Sequence, residues 1–212
     1  VMAEAVLYTT LEHEGEAEFV EKKSVFIGHA IPVTSEEEAQ AFVKKYKNQY
    51  MDARHNVWAY LMKGEIVARY SDDGEPHGTA GKPMLDVIVG SGVTDIAVVV
   101  TRYFGGILLG TGGLVRAYSK AAKDTLDAAD KFLMVPGVSY SVNLDYSNLA
   151  RFESLILEFD GTKEEILYED SVVVKFSIPQ SKEDDFLISL KDTFSSAVTA
   201  QKVSNKYTKQ KI

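Results

Sequence analysis

Two stretches hold the side chains with the most chemical potential. The first, "YSDDGEPHGTAGKPML" at 70–85, gathers Asp72, Asp73, Glu75 and His77 in one turn-rich segment. Carboxylates this near a histidine can hold a metal or act as an acid–base pair, and His55 is the other candidate imidazole. No His-x-x-x-His or other ligand spacing accompanies them, and Asp-Asp-Gly-Glu-Pro is also ordinary turn chemistry, so no metal site is assigned. The second, "TRYFGGILLGTGGLVRAYSKAA" at 101–122, sets Gly105, Gly106, Gly110, Gly112 and Gly113 ahead of an amphipathic pattern. Free amide N–H groups at a helix start form a natural anion site, which points to a small anion at this loop. The lysine and hydroxyl of a phosphate-binding P-loop are missing, with Leu114-Val115 in their place, and no dinucleotide fingerprint fits. The alternative is structural: these glycines permit a left-handed turn and close backbone packing.

Arg102 closes the preceding strand, while Arg116, Lys120 and Lys123 follow the loop with no acid between Thr101 and Lys123. Arginine forks suit phosphate or carboxylate, and neighbouring Tyr103 and Phe104 can stack on bases. Equally, Arg102 and Arg116 can pair with Asp72, Asp73 or Glu75. The serines lack a nucleophile elbow and no catalytic residue emerges.

These groups sit in a 212-residue chain of net charge −8 and no cysteine, which excludes disulfides and thiolate chemistry and suits a cytoplasmic address. Such an acidic chain has no general attraction to nucleic acid, so any contact of that kind is local. No apolar run approaches the roughly 20 residues of a membrane helix, and no cofactor is implied.

The positioning elements follow from periodicity. "SVFIGHAIPV" reads as a strand and "SEEEAQAFVKKYKNQY" as a helix with Ser35 as its cap. "HNVWAYLM" and "EIVARYS" form a hairpin about Lys63-Gly64. Pro83 opens a short helix, "DIAVVVTRYF" is a buried strand, and a helix follows over 112–128. Pro136-Gly137 marks the best boundary, giving domains 1–136 and 137–212. The second then reads βαββαβ, a ferredoxin-like unit, and its terminal lysines read as a solvated tail. The fold class is α+β.

"YSDDGEPHGTAGKPML" followed by "VVVTRYFGGILLGTGGLVRAYSKAA" closely resembles the signature of the IMPACT/YigZ family, supported by "KKSVFIGHA" and "ARHNVWAY". The resemblance implies a two-domain bacterial member. Its first domain is expected to be like the second domain of a small-subunit ribosomal protein, its second like a ferredoxin-like domain of elongation factor G. Eukaryotic members of that family act in translational control by binding the activator of a starvation-responsive kinase. The expectation is therefore a non-enzymatic translation regulator contacting RNA, a ribosome or a translation-related protein. Its surface would use Arg102, Arg116, Lys120 and the glycine loop, with His55, Asp73 and His77 nearby. Leu108 stands where many members carry lysine. The rival is a phosphate- or nucleotide-binding enzyme using the same loop.

Overall fold

The computed structural model describes residues 7–63, 67–195 and 197–211. They form an α+β protein of two five-stranded sheets and five α-helices. Contacts divide it into an N-terminal unit, Thr9–Lys131, and a C-terminal unit from Phe132 onward that also takes in Leu7 and Tyr8.

After β1 (Tyr8–Leu11), a strand of the second sheet, the strands of the N-terminal unit are β2 (Gly15–Glu21), β3 (Ser24–Pro32), β4 (His55–Met62), β5 (Val67–Ser71) and β6 (Ile96–Tyr103). The helices are α1 (Glu36–Gln49), α2 (Gly81–Gly90) and α3 (Thr111–Asp127). One antiparallel sheet runs β2-β3-β6-β4-β5. β6 is central and buried on both faces, which explains its unbroken apolar run. Val98 and Val100 join the core under α2 and α3, whereas Ala97 and Val99 join the one under α1. Ser35 caps α1 as expected, its hydroxyl accepting from the Glu38 amide. The acidic segment "LEHEGEAEFVEKK" at 11–23 supplies β2, and Lys22-Lys23 turns β2 into β3. Gly64 of the expected hairpin lies outside the described residues.

His29 on β3 is buried, stacked on Tyr46 with ring centroids 3.9 Å apart, and its Nε2 lies 3.2 Å from the Tyr50 hydroxyl. Burial holds its pKa below the ordinary 6.5, against Glu16 and Glu14, with Lys45 adding to the depression. The folded protein thus takes up this proton less readily than the unfolded chain. The neutral ring's contribution is complete above pH 6.5 and is lost as pH falls through the lower folded value. Between pH 7 and pH 5, urea unfolding is expected to show a larger stability loss for wild type than for His29→Phe. Parallel losses would contradict this.

The C-terminal unit contains β7 (Lys131–Leu144), α4 (Leu149–Glu158), β8 (Thr162–Tyr168), β9 (Val172–Pro179), α5 (Glu183–Thr193) and β10 (Ala200–Lys211). Its antiparallel sheet runs β10-β7-β9-β8, with β1 also pairing β7. The βαββαβ element order read from the sequence is present. Phe152, Phe176 and Phe186 anchor its core.

Two local readings change. Pro136 and Gly137 do not break the chain: they lie inside β7, Gly137 pairing with both Pro179 and Lys206, and the units divide at Lys131/Phe132. The terminal lysines are not a free tail but belong to β10, where Lys202 pairs with Glu183 and Lys206 with Glu164.

Candidate functional site

The antiparallel register of β4 and β6 sets His55 opposite Arg102, and that of β3 and β6 sets Phe26 on Arg102's other side. Arg102 is therefore not a surface residue. It is 5% exposed, and its Nη1 donates to Glu75 Oε1 at 2.7 Å. Its Nη2 donates to Ser24 Oγ at 3.3 Å, and its guanidinium carbon lies 5.6 Å and 5.5 Å from the ring centroids of Phe26 and Phe104. Such a fork, desolvated and flanked by aromatic faces, is fixed rather than mobile. Glu75 also accepts from the Tyr118 hydroxyl at 2.7 Å. Burial, then the Glu75 carboxylate, pushes the Tyr118 phenol far above its ordinary pKa, so it stays a donor.

His55 closes this group, with Nε2 3.9 Å from Glu75 Oε2 and Nδ1 2.9 Å from the Asp73 carbonyl. A carbonyl only accepts, so Nδ1 carries a proton. Asp73 itself accepts from Lys47 Nζ at 2.5 Å and the Asn56 amide at 2.7 Å. It orients His55 from behind and has no spare oxygen for a metal. Asp72 accepts from the amides of Gly78, Ala80 and Gly81, satisfying the start of α2. The turn thus uses its carboxylates structurally, and among the described residues no group of three histidine, aspartate or glutamate side chains can hold a metal ion.

The loop between β6 and α3 covers this group. Gly105 crosses the β2–β3 turn so closely that its amide donates to Ser24 Oγ at 3.2 Å. Gly110, with φ +72°, leads into α3 and offers no capping side chain. The first intrahelical bond runs from Leu114 N to Gly110 O, leaving the amides of Thr111, Gly112 and Gly113 without helical acceptors. A cleft of about 390 Å³ opens here, lined by Arg54, His55, Glu75, Arg102, the loop and the start of α3.

The remaining expected residues lie elsewhere. His77 is 97% exposed, with Nδ1 3.7 Å from Asp72 Oδ2. Lys120 pairs with Asp124 one turn along α3 and lies over the Phe19 ring. Gly106 turns the loop at φ +83°. Arg116 is exposed, with Nη1 3.5 Å from where a Gly112 side-chain carbon would sit. Among the described residues neither Arg116 nor Arg54 makes an ion pair. Arg54 escaped the sequence reading, although it directly precedes His55 in "ARHNVWAY". Tyr118 lies on the buried stripe of α3, and its hydroxyl is what sets it apart from the apolar positions around it. The loop also exposes Phe104 (43%), Ile107 (42%) and Leu108 (81%).

Residues 22–126, which contain this whole site, match the Impact N-terminal domain, and 142–197 match a domain of unknown function, DUF1949. IMPACT family member YvyE of Bacillus subtilis (strain 168) is 38% identical over 84% of this chain and 83% of its own length. The chain belongs to the IMPACT family. IMPACT family member YigZ of Escherichia coli (strain K12) is likewise 38% identical, over 81% of this chain and 85% of its own. A crystal structure described as that of a hypothetical protein superposes with a TM-score of 0.60 at 34% identity, covering 93% of this chain and 98% of that one. The Glu75–Arg102–Tyr118 group and the glycine loop thus belong to the IMPACT-type portion of the chain. Among the described residues no helix is long and apolar enough to cross a membrane.

Proposed function

We propose that this IMPACT family chain is a translation-associated regulator that works by binding, with the ribosome as its target. The observation that carries the reading is the composition of the loop face. In a chain of net charge −8, the loop exposes Ile107 and Leu108, and Arg54 and Arg116 carry charges that no acid of the described residues neutralises. Exposed apolar groups with accompanying arginines are the composition of a docking surface, and free guanidinium groups suit RNA phosphates. Glu75, Arg102 and Tyr118, by contrast, are engaged with one another, which favours binding over catalysis. The family resemblance adds the link to translation, since the two domains it implies are expected to be like one of a ribosomal protein and one of elongation factor G.

The contact residues in this reading are Arg54, Arg116 and the loop tip. Arg102 holds the loop from inside, and Lys120 is engaged with Asp124. The test is co-sedimentation of the full chain with ribosomes across a salt series, for wild type, Arg54→Ala/Arg116→Ala and Leu108→Asp. Wild-type binding is expected to weaken as salt rises, and the double variant to reduce the slope of log K against log salt by about 2. Leu108→Asp is expected to weaken binding at every salt concentration. No co-sedimentation of folded wild type at low salt, or an unchanged slope in the double variant, overturns the proposal.

A further inference from the structure

The cleft beside α3 has a second property, which the proposed ribosome contact shares only through Arg54 and Leu108. Its apolar wall is formed by Phe104, Leu108, Leu109 and Leu114, and one end meets the uncapped first turn of α3. Arg54 adds an unpaired cation to the lining. Arg102 also lines the cleft, is 5% exposed, and keeps its Nε–H without an acceptor among the described residues. A buried donor of this kind is rare, because native interiors satisfy nearly all such groups. Unpaired amides at a helix start, a free arginine and the one unpaired N–H of a buried guanidinium all favour one kind of visitor, an anion. The Glu75 carboxylate on the same lining is offset by Arg102, its ion-pair partner, so the uncompensated charge of the cleft is that of Arg54.

We infer that this cleft binds a nucleoside phosphate. The phosphate lies at the first turn of α3, within reach of Arg54, and the base lies against the apolar wall. The volume, about 390 Å³, falls within the range of sites for ligands of that size. An inorganic anion alone would leave the apolar wall unused, and an uncharged nucleoside would leave the α3 amides without an acceptor. The site needs no ribosome, so it stands or falls separately from the proposed function.

Isothermal titration and thermal melting of the full chain provide the test, with AMP, GMP, ATP, adenosine and inorganic phosphate as probes. At least one nucleotide is expected to bind saturably and raise the melting temperature, with adenosine failing to do so at the same millimolar concentration. Arg54→Ala is expected to weaken nucleotide binding about tenfold with the melting point of the free protein unchanged. Leu108→Asp, which places a carboxylate on the wall, is expected to abolish binding. Flat titrations with every nucleotide overturn the inference, as does equal affinity for adenosine and AMP. Inorganic phosphate binding as tightly as AMP also overturns it, because the apolar wall then contributes nothing.

Discussion

Glu75→Ala is expected to destabilise the N-terminal unit by about 3–5 kcal/mol, the range for stripping one partner from a buried ion pair. The carboxylate satisfies Arg102 Nη1 and the Tyr118 hydroxyl, each at 2.7 Å, and both side chains are buried. Its loss leaves a largely buried guanidinium, already lacking an acceptor at Nε, with a second orphaned donor. The melting temperature should fall by on the order of 10 °C, and urea unfolding should show the same loss at an unchanged m-value. Arg102→Met in the same chain is expected to restore part of this stability, since an apolar group of similar length removes the uncompensated charge. A Glu75→Ala variant within about 1 kcal/mol of wild type, a typical effect for a random substitution, would show that the group is solvated and not structural.

Gly105→Ala is the second large effect, and it acts through the backbone. A Cβ at position 105 would lie 2.0 Å from both the carbonyl carbon and the oxygen of Lys23. Those atoms cannot easily retreat, because Lys22 and Lys23 already hold positive φ values of 47° and 67° in the β2–β3 turn. The loop must move instead, breaking the bond from its amide to Ser24 Oγ and disturbing the hydroxyl that meets Arg102. A loss of about 3 kcal/mol is expected, at the upper end for overpacking. Gly112→Ala is the control. Its added carbon meets only Arg116 Nη1, at an ordinary 3.5 Å, and alanine favours a helix by about 1 kcal/mol over glycine. Chemical denaturation should therefore move the two variants in opposite directions, and equal stability of Gly105→Ala and wild type would refute the close crossing.

What could be read locally was read from the sequence. The apolar run of β6 reflects burial on two faces, and the 3.6-residue stripes of α1 and α3 reflect one. These patterns need only each element's own residues, and so they survive without coordinates. β2 and the far end of β10 were harder because both flank a sheet, where only one neighbour pairs and charged side chains are favoured. Their glutamates and lysines hide the alternation that a central strand displays. Pro136-Gly137 reads as a break in the sequence, yet Pro136 sits within β7 just outside the β9 register, which begins at Gly137, so its missing N–H takes no bond from that ladder.

The site was legible only as a set of residue types. Arg102, Glu75 and His55 were all visible as charged or titratable positions, and a pairing of Arg102 with Glu75 was one of the alternatives. That Arg102 lies inside, opposite His55 and against a glutamate 27 positions away, depends on how β3, β4 and β6 align. Register is fixed by which faces of distant strands bury together, and a one-residue slip would turn every side chain to the other face. The central elements and the family are legible in the sequence, because both are written in contiguous patterns. Only the tertiary structure decided which charges are neutralised and which, like Arg54 and Arg116, remain free, because a charge's partner comes from wherever the sheet brings one.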